Sequence, residues 1–536
     1  MKVFLLGLDG LTLNMVKPYI EAGLLPNLKK VLDEGAYGIL RSTIPPVSGP
    51  AWVSLTTGKN PGKHGIFEFR TRQGYNTELV TKNTSIHAEP IWKILSRNQK
   101  CVSVINVPLT YPPDEINGMM ISGLMTPDEG TEFTYPASIK EELFRLIPDY
   151  QVDVNTRVFF SRDKSKWLKE VLKITNDRRT AMNHFMKQDS WDLFFIVYVA
   201  PDRLQHFQWD EVISMDPECI KCYQLLDCAL GDILEKMDDD TVLFIASDHG
   251  FETVKKALYL TTFLSKIGLL DTRQRKGFSK TLGKIDLSNK FVDWIIALLG
   301  SIFLRVKKHF PSWLMNCMFR LLIMPQGNMN WSKTKLFTTL GAGIIFVNLK
   351  GREPQGIVEQ RDYAGLCALV EKELLALKDP DTGKSVVKAV HKGCEIYSSE
   401  YADIRPDLVV AMNDGYDVRA ELGSSVLSEY SPTGRKMVSA HHRDGLFAAY
   451  GNIVKKTRVD ADIYDIMPTV LYLAGVAIPE DVDGRVLTEI INRDFVEKNE
   501  IRFEKTMESY SSEKTALDEE EKKEVEKHLK NLGYLS

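Results

Sequence analysis

Short apolar runs alternate with amphipathic stretches through the first half of the chain. The apolar runs predict buried strands at Val3–Leu8, Lys100–Val107, Trp191–Val199 and Thr241–Ala246. Apolar residues at helical spacing predict helices at Leu24–Glu34, Pro90–Ser96 and Cys219–Met237. Because alternating strands and helices are typical of parallel sheets, the sequence predicts an α/β fold with a mostly parallel central sheet flanked by helices.

The pattern is interrupted after residue 251 and resumes near residue 331. Further strands are predicted at Ile344–Val347, Asp407–Ala411 and Gly445–Tyr450. We therefore divide the chain into a first part of the α/β core (1–251), an insert (252–330), a second part of the core (331–492) and a charged helical arm (493–536). The surface helix Leu517–Leu532 is expected to be a docked arm rather than a catalytic element.

The segment Thr43–Phe69 places a serine at a predicted helix start. Two prolines precede Ser48, Gly49 and Pro50 follow it, and the helix is expected over 51–57. Such a hydroxyl lies beside free backbone N–H groups and the positive end of the helix dipole, where an anion is stabilised. An ordinary loop between a strand and a helix would show the same local pattern.

Composition and charge narrow the class of protein. The 536 residues are 44% hydrophobic and 26% charged, as in average globular proteins, and the net charge of −4 argues against a generic nucleic-acid binder. The Cys219-x-x-Cys222 pair lacks further ligands at zinc spacing, so the seven cysteines read as reduced thiols. With no cleavage site after the first apolar run, we expect a cytoplasmic protein.

The insert differs from the rest of the chain in charge. Residues 252–325 hold thirteen Lys and Arg against four Asp and Glu, and the apolar run Phe291–Leu304 is followed by basic residues. One hypothesis is peripheral contact with an anionic membrane through this basic surface. The alternative, which we favour, is a helical cap over the active site with a solvated basic face.

Polar side chains that suit a metal centre gather at the predicted strand ends. They are Asp9, Ser48, Asp202, His206, Asp248, His249 and the pair His441-His442. In open α/β sheets such residues meet beyond the carboxyl ends of the strands. Carboxylates with imidazoles form a ligand set suited to Zn, Mn or Fe. Any one of them alone would more often be a helix cap or a satisfied polar residue.

These residues lie in motifs by which the chain resembles the alkaline phosphatase superfamily, and most closely its type I phosphodiesterase and nucleotide pyrophosphatase branch. The motifs are Leu-Gly-Leu-Asp-Gly at 6–10, Val-Ser-Gly-Pro-Ala-Trp at 47–52, Thr-Gly-Lys-Asn-Pro-Gly-Lys-His-Gly-Ile at 57–66, Pro-Asp-Arg-Leu-Gln-His at 201–206, Ser-Asp-His-Gly-Phe at 247–251 and His-His-Arg-Asp-Gly at 441–445. The resemblance covers most of 1–250 and 330–490.

The resemblance implies a hydrolase of phosphoric esters with two divalent metal ions, most plausibly Zn, with Mn or Fe as alternatives. By residue matching, one ion would be held by Asp9, Asp248 and His249. The other would be held by Asp202, His206 and one of the later histidines, for which we prefer His441 to His442. Ser48 matches the nucleophile, which would also bind metal and form a phosphoseryl intermediate.

The chain departs from the family pattern at Ala51, where many members carry an Asn that grips the phosphate. Lys63 is then a candidate for binding the substrate. A sulfatase is less favoured because Trp52 stands where its motif requires Arg. A phosphomonoesterase, a phosphomutase and a non-catalytic relative that binds a membrane or partner remain alternatives. The ester that is cleaved and the oligomeric state stay open.

Overall fold

The computed structural model describes residues 1–80, 86–155, 164–188, 191–271, 329–338, 341–398, 400–429, 438–506, 517–532 and 534. In these ranges the strands are β1 Lys2–Leu8, β2 Ala36–Arg41, β3 Arg70–Gln73, β4 Asn76–Leu79, β5 Val102–Val107, β6 Gly118–Ser122, β7 Thr134–Tyr135, β8 Leu193–Tyr198, β9 Thr241–Ala246, β10 Gly250–Val254, β11 Lys256–Tyr259, β12 Leu336–Phe337, β13 Ile344–Val347, β14 Val387–Lys392, β15 Leu408–Met412, β16 Tyr416–Arg419, β17 Leu427–Glu429, β18 Val438–His442, β19 Asp444–Tyr450, β20 Thr457–Arg458, β21 Ala461–Asp462, β22 Ile478–Pro479 and β23 Phe503–Glu504.

The α-helices of the described ranges are α1 Leu13–Glu21, α2 Pro26–Glu34, α3 Ser48–Thr57, α4 Pro61–His64, α5 Ile91–Arg97, α6 Ser138–Leu146, α7 Lys164–Gln188, α8 Ala200–Phe207, α9 Trp209–Ile213, α10 Pro217–Lys236, α11 Leu260–Lys266, α12 Gln360–Leu375, α13 Gly393–Ile396, α14 Ile466–Leu473, α15 Arg493–Lys498 and α16 Glu519–Leu532. Short 3-10 turns lie at Ile463–Asp465 and Thr488–Ile490. Among the described residues, no helix combines the length and apolarity needed to cross a membrane.

A central ten-stranded sheet confirms the predicted α/β class. Its strand order is β20-β2-β19-β9-β1-β8-β5-β6-β7, with β21 also paired to β2. Strand β1 pairs in parallel with both β8 and β9, and β5 in parallel with β8 and β6. Strand β19 lies between β2 and β9 and pairs antiparallel with both. The sheet is therefore mostly parallel in its centre and mixed towards one edge.

The inner strands are buried along almost their whole length. Every residue of β8 and β9 is buried, and only the first residue of β1, Lys2, is partly exposed. Strands covered by helices on both faces read as unbroken apolar runs, which is why these three were predictable from sequence. Their carboxyl ends lie side by side, because the three strands are adjacent and parallel.

A second hydrophobic core is formed by strands and helices that follow residue 251. Strands β13 and β15, expected in the central sheet, lie instead in a separate four-stranded sheet of order β12-β13-β15-β14. Helix α12 packs on this sheet through Cys367, Val370 and Leu374. Both strands pair antiparallel with their neighbours. A short apolar run fits either sheet equally well, so the sequence did not distinguish them.

The described ends of the insert contain strands and one short helix. Residues 250–254 form β10, which pairs antiparallel with β18, and β11 joins a three-stranded sheet with β16 and β17. Helix α11 follows and adds Phe263 and Leu264 to the second core. The basic stretch 272–325, with its apolar run and the hypothesis of membrane contact, lies outside the described residues.

Candidate active site

The predicted polar residues converge at one edge of the central sheet. Asp9 directly follows β1, Asp248 and His249 follow β9, and Asp202 lies in the first turn of α8, the helix after β8. Two further elements complete the site, as Ser48 is the first residue of α3 and His441 lies in β18. The site thus combines the ends of three neighbouring strands with residues from both halves of the chain.

Ser48 lies beside a buried group of carboxylates. Its Oγ is 3.0 Å from His249 Nε2. The same nitrogen lies 3.5 Å from Asp9 Oδ1, 3.4 Å from Asp248 Oδ2 and 4.0 Å from Asp202 Oδ1. All five side chains are fully buried. The serine is therefore held where negative charge is concentrated.

Two further histidines lie close to the same oxygen of Asp202. Oδ1 of Asp202 is 3.2 Å from His206 Nε2 and 3.5 Å from His441 Nε2, and these two nitrogens are 2.9 Å apart. Asp202 and His206 are four residues apart on α8, so one helical turn presents both side chains to the same point. The two imidazoles are partly exposed, which opens the site on their side.

Backbone carbonyls fix the tautomers of two histidines. His441 Nδ1 lies 3.0 Å from the Pro46 carbonyl, and His249 Nδ1 lies 3.1 Å from the Gly250 carbonyl. Because a carbonyl only accepts hydrogen bonds, each Nδ1 carries the proton and donates it. Each Nε2 then presents a lone pair towards the carboxylates, which is the arrangement of a metal-ligating imidazole.

Trp52 contacts Asp9 of the site through its indole ring. Its indole Nε1 donates to Asp9 Oδ2 at 3.3 Å, which leaves Oδ1 directed at His249. The ring lies against Gly7, where a Cβ would approach Trp52 Cη2 to 2.7 Å and Val197 to 2.8 Å. At this position of β1, only a glycine leaves room for the indole. Trp52 therefore has a structural role in orienting a carboxylate.

The donor set fits divalent cations. Among the described residues, Asp9 Oδ1, Asp202 Oδ1 and Asp248 Oδ2 are buried without any hydrogen-bond partner. Uncompensated buried carboxylates are strongly unfavourable, and buried charges are normally paired or coordinated to metal. Two overlapping sets of ligand atoms are close enough to share an ion, namely Asp202-His206-His441 and Asp9-Asp202-His249. These residues are therefore candidate ligands for such ions.

The electrostatics of the protein alone leave this charge unbalanced. Burial and the neighbouring carboxylates raise the pKa of Asp9, and burial raises the pKa of Asp248 to about 7. Burial would also raise the pKa of Asp202, but the His206 imidazole and other positive neighbours hold it well below its usual value. Burial lowers the pKa of His249. A cation bound among these buried carboxylates would balance their charge.

Two residues named from the sequence lie apart from this group. Lys63 Nζ binds Asp483 Oδ1 and the Asp481 carbonyl, each at 2.6 Å, so its contacts do not support a role in binding the substrate. The Nδ1 of His442 accepts a hydrogen bond from the Asp444 N–H at 3.2 Å. The contacts of the site thus involve His441.

Two residues that sequence reasoning missed also contact the site. Arg203 donates to Asp202 Oδ2, and the Tyr534 hydroxyl donates to the same oxygen at 2.9 Å. Arg203 stood next to Asp202 in a quoted motif, but no role was inferred for it. Tyr534 gave no signal, since it is 332 residues from Asp202 and lies beyond the helix we expected to be non-catalytic.

The comparisons with known proteins agree with this architecture. The family model described as type I phosphodiesterase / nucleotide pyrophosphatase matches residues 3–444. Phosphonoacetate hydrolase from Sinorhizobium meliloti 1021, solved with phosphonoacetate, superposes with a TM-score of 0.52 at 14% identity, covering 88% of this chain and 96% of that chain.

Murine ectonucleotide pyrophosphatase / phosphodiesterase 5 superposes with a TM-score of 0.48 at 12% identity, covering 92% of this chain and 100% of that chain. The human protein gives 0.46 at 13% identity over the same shares. No curated protein sequence matches significantly. The likeness to the bacterial hydrolase shows a shared fold.

Proposed function

This chain belongs to the type I phosphodiesterase / nucleotide pyrophosphatase family and is a phosphoric ester hydrolase, and we propose that it works through Ser48 and two divalent metal ions. The observation that carries the proposal is the set of three buried, partnerless carboxylate oxygens around His249, next to the Ser48 hydroxyl. Asp9, Asp248 and His249 would hold one ion.

Asp202, His206 and His441 would hold the other ion, with Zn the favoured metal. When bound, the two ions would activate the Ser48 hydroxyl and neutralise charge on the entering and leaving oxygens of the phosphoryl group. This division of ligands follows the distances: Asp202 Oδ1 lies 3.2 Å from His206 and 3.5 Å from His441 but 4.0 Å from His249, whereas Asp9 and Asp248 lie 3.5 Å and 3.4 Å from His249.

The chain itself supplies the nucleophile and its orientation. Ser48 Oγ would attack phosphorus in line with the departing alcohol, forming a phosphoseryl bond that water then hydrolyses to restore the serine. Ser48 Oγ lies 3.0 Å from His249 Nε2, so the hydroxyl is placed beside a residue that would hold one ion. The N–H of Gly49 lies in the first turn of α3, where no intrahelical acceptor exists, and is available to a phosphate oxygen.

A phosphodiester is the substrate class we favour. The family assignment supports it, and the opening beside His206 and His441 gives an ester group access to solvent. A sulfatase has no supporting observation, because Trp52 is fully buried and bound to Asp9 where a sulfatase motif requires Arg.

The test is hydrolysis of bis-p-nitrophenyl phosphate by protein stripped of metal and then supplied with Zn²⁺ or Mn²⁺. Turnover should depend on added metal and should be lost in Ser48→Ala. A slow diester substrate quenched with acid should leave on wild-type protein, by intact mass, one phosphoryl group still esterified to its second alcohol, and none on the variant.

Ser42→Ala is the matched control. Ser42 is also fully buried, and its Oγ has no hydrogen-bond partner among the described residues, so the same substitution there should leave turnover unchanged. Metal-independent turnover, or equal activity of wild type and Ser48→Ala, would reject the proposed mechanism.

A further inference from the structure

The C-terminal arm is anchored in the main core. Helix α16 buries Val525, Leu529 and Leu532, and Leu517 precedes it in the same core. These apolar positions recur at helical spacing, so one face of the helix packs inwards while its charged face remains in solvent. The arm is therefore a fixed part of the folded chain.

Polar contacts fix the position of the arm around the site. Glu526 Oε1 pairs with Arg70 Nη2 at 2.6 Å, and Glu521 Oε1 accepts from the Tyr111 hydroxyl at 3.0 Å. Both partners, Arg70 and Tyr111, belong to the first half of the chain, which also contains Ser48 and Asp202. The Arg70–Glu526 pair is partly buried, with 14% and 33% of the side chains exposed.

Tyr534, just beyond α16, reaches the catalytic centre. Its ring packs 4.9 Å from the Phe69 ring and lies edge-on to His206 at 5.7 Å. Its hydroxyl donates to Asp202 Oδ2 at 2.9 Å and accepts from Arg203 Nη1 at 2.9 Å.

The two oxygens of the Asp202 carboxylate have different contacts. Oδ2 is bound by Arg203 and Tyr534, while Oδ1 has no hydrogen-bond partner and faces His206 and His441. Arg203 is itself fixed by Asp153, at 2.6 Å and 3.1 Å. Outer partners of this kind set the orientation of a ligating carboxylate.

We propose that Tyr534 is a positioning residue for the metal site, and that docking of the C-terminal arm completes this site by fixing Asp202 with Oδ1 directed at the two histidines. The inference rests on the proposed function in one respect, namely that Asp202 binds metal. It assigns to the arm a role in the chemistry, where the sequence suggested only packing.

The first test is Tyr534→Phe in the full-length protein, which removes the hydroxyl and keeps the ring. Zn²⁺ affinity is measured by competition with a chromogenic chelator. One of the two sites should weaken by about 10- to 100-fold while the other stays unchanged, because only Asp202 loses a partner. In the diester assay kcat should fall with little change in KM.

The second test moves the arm without touching the site. Glu526→Lys places a lysine opposite Arg70 and should weaken the same Zn²⁺ site. Glu524→Lys is the matched control, since it makes the same charge change on the exposed face of α16, where Glu524 pairs only with Lys527 among the described contacts. It should leave both Zn²⁺ affinities unchanged.

Equal Zn²⁺ affinities of wild type and Tyr534→Phe would overturn the proposal. Faster turnover by Tyr534→Phe would also overturn it, since the tyrosine would then obstruct the site rather than position Asp202. If wild-type protein binds two Zn²⁺ but hydrolyses no ester, while Tyr534→Phe still loses one site, the proposed function is rejected and the positioning role stands.

Discussion

The imidazole of His64 is fully buried beside helix α3 and has a different role from the histidines of the site. The Ile66 N–H donates to its Nδ1 at 3.2 Å, so Nε2 carries the proton and donates to Ser54 Oγ at 2.9 Å. Burial, together with the nearby Lys59, lowers the pKa of His64 to about 3. Although it lies in a motif quoted for the family, this histidine is structural.

The neutral state of His64 makes the fold sensitive to acid. Its pKa is lower in the folded chain than in the unfolded chain, so the unfolded state binds more protons and stability falls with pH below about 6.5. By about pH 5 this one group should have cost about 2 kcal/mol of unfolding free energy.

Urea unfolding of wild type and His64→Gln at about pH 6.5 and about pH 5 measures this effect. The glutamine variant should lose less stability on acidification. Ser54→Ala removes the hydroxyl partner but keeps the imidazole, so its pH dependence should match wild type. The same pH dependence in His64→Gln as in wild type would contradict the assignment.

At the scale of elements, a buried ion pair ties the β3–β4 hairpin to the second core. Arg72 Nη1 lies 2.5 Å from Glu353 Oε2, and the two side chains are 3% and 0% exposed. The Arg72 guanidinium also stacks 4.5 Å from the ring of Phe346, a residue of β13. This contact joins segments that are 281 residues apart.

Glu353→Ala should lower the free energy of unfolding by about 3–5 kcal/mol, because it leaves the Arg72 charge buried and unpaired. Glu359→Ala is a matched control, since Glu359 forms an exposed pair with Lys350 and its loss should cost about 0–1 kcal/mol. Hydrogen exchange should show the Glu353 variant opening first in β13 and β15. If protection in the Glu353 variant were uniform across both cores, the ion pair would not be what ties the β3–β4 hairpin to the second core.

Elements also show what sequence reasoning could reach. Strands β1, β8 and β9 were predictable because burial on both faces requires unbroken apolar runs, and parallel strands bring Asp9, Asp202 and Asp248 to one edge. The placement of β13 and β15 was not predictable, since short apolar runs do not specify their partners. Tyr534 was equally hidden, because its contact with Asp202 depends on how α16 packs and not on local spacing.

At the scale of the whole molecule, the site joins distant parts of the chain. Asp9, Asp202 and Asp248 come from the first half, whereas His441 comes from β18, in the second half. Ions bound between them would connect the two halves of the fold. Without a cation, the same carboxylates repel each other in a buried space, so the site should destabilise the metal-free protein.

Thermal unfolding with and without Zn²⁺ tests this linkage. A ligand that binds only the folded state stabilises it by mass action, by about 2.7 kcal/mol at a concentration about 100 times Kd, so Zn²⁺ should raise the Tm of wild type. Asp248→Asn removes one buried charge and should therefore raise the Tm of metal-free protein while reducing the gain on adding Zn²⁺. Asp239→Asn provides the control, because Asp239 lies on the exposed turn before β9 and should follow wild type in both states. If Asp248→Asn lowered the metal-free Tm, the carboxylates would be stabilised by the protein itself, and the argument that they require a cation would fail.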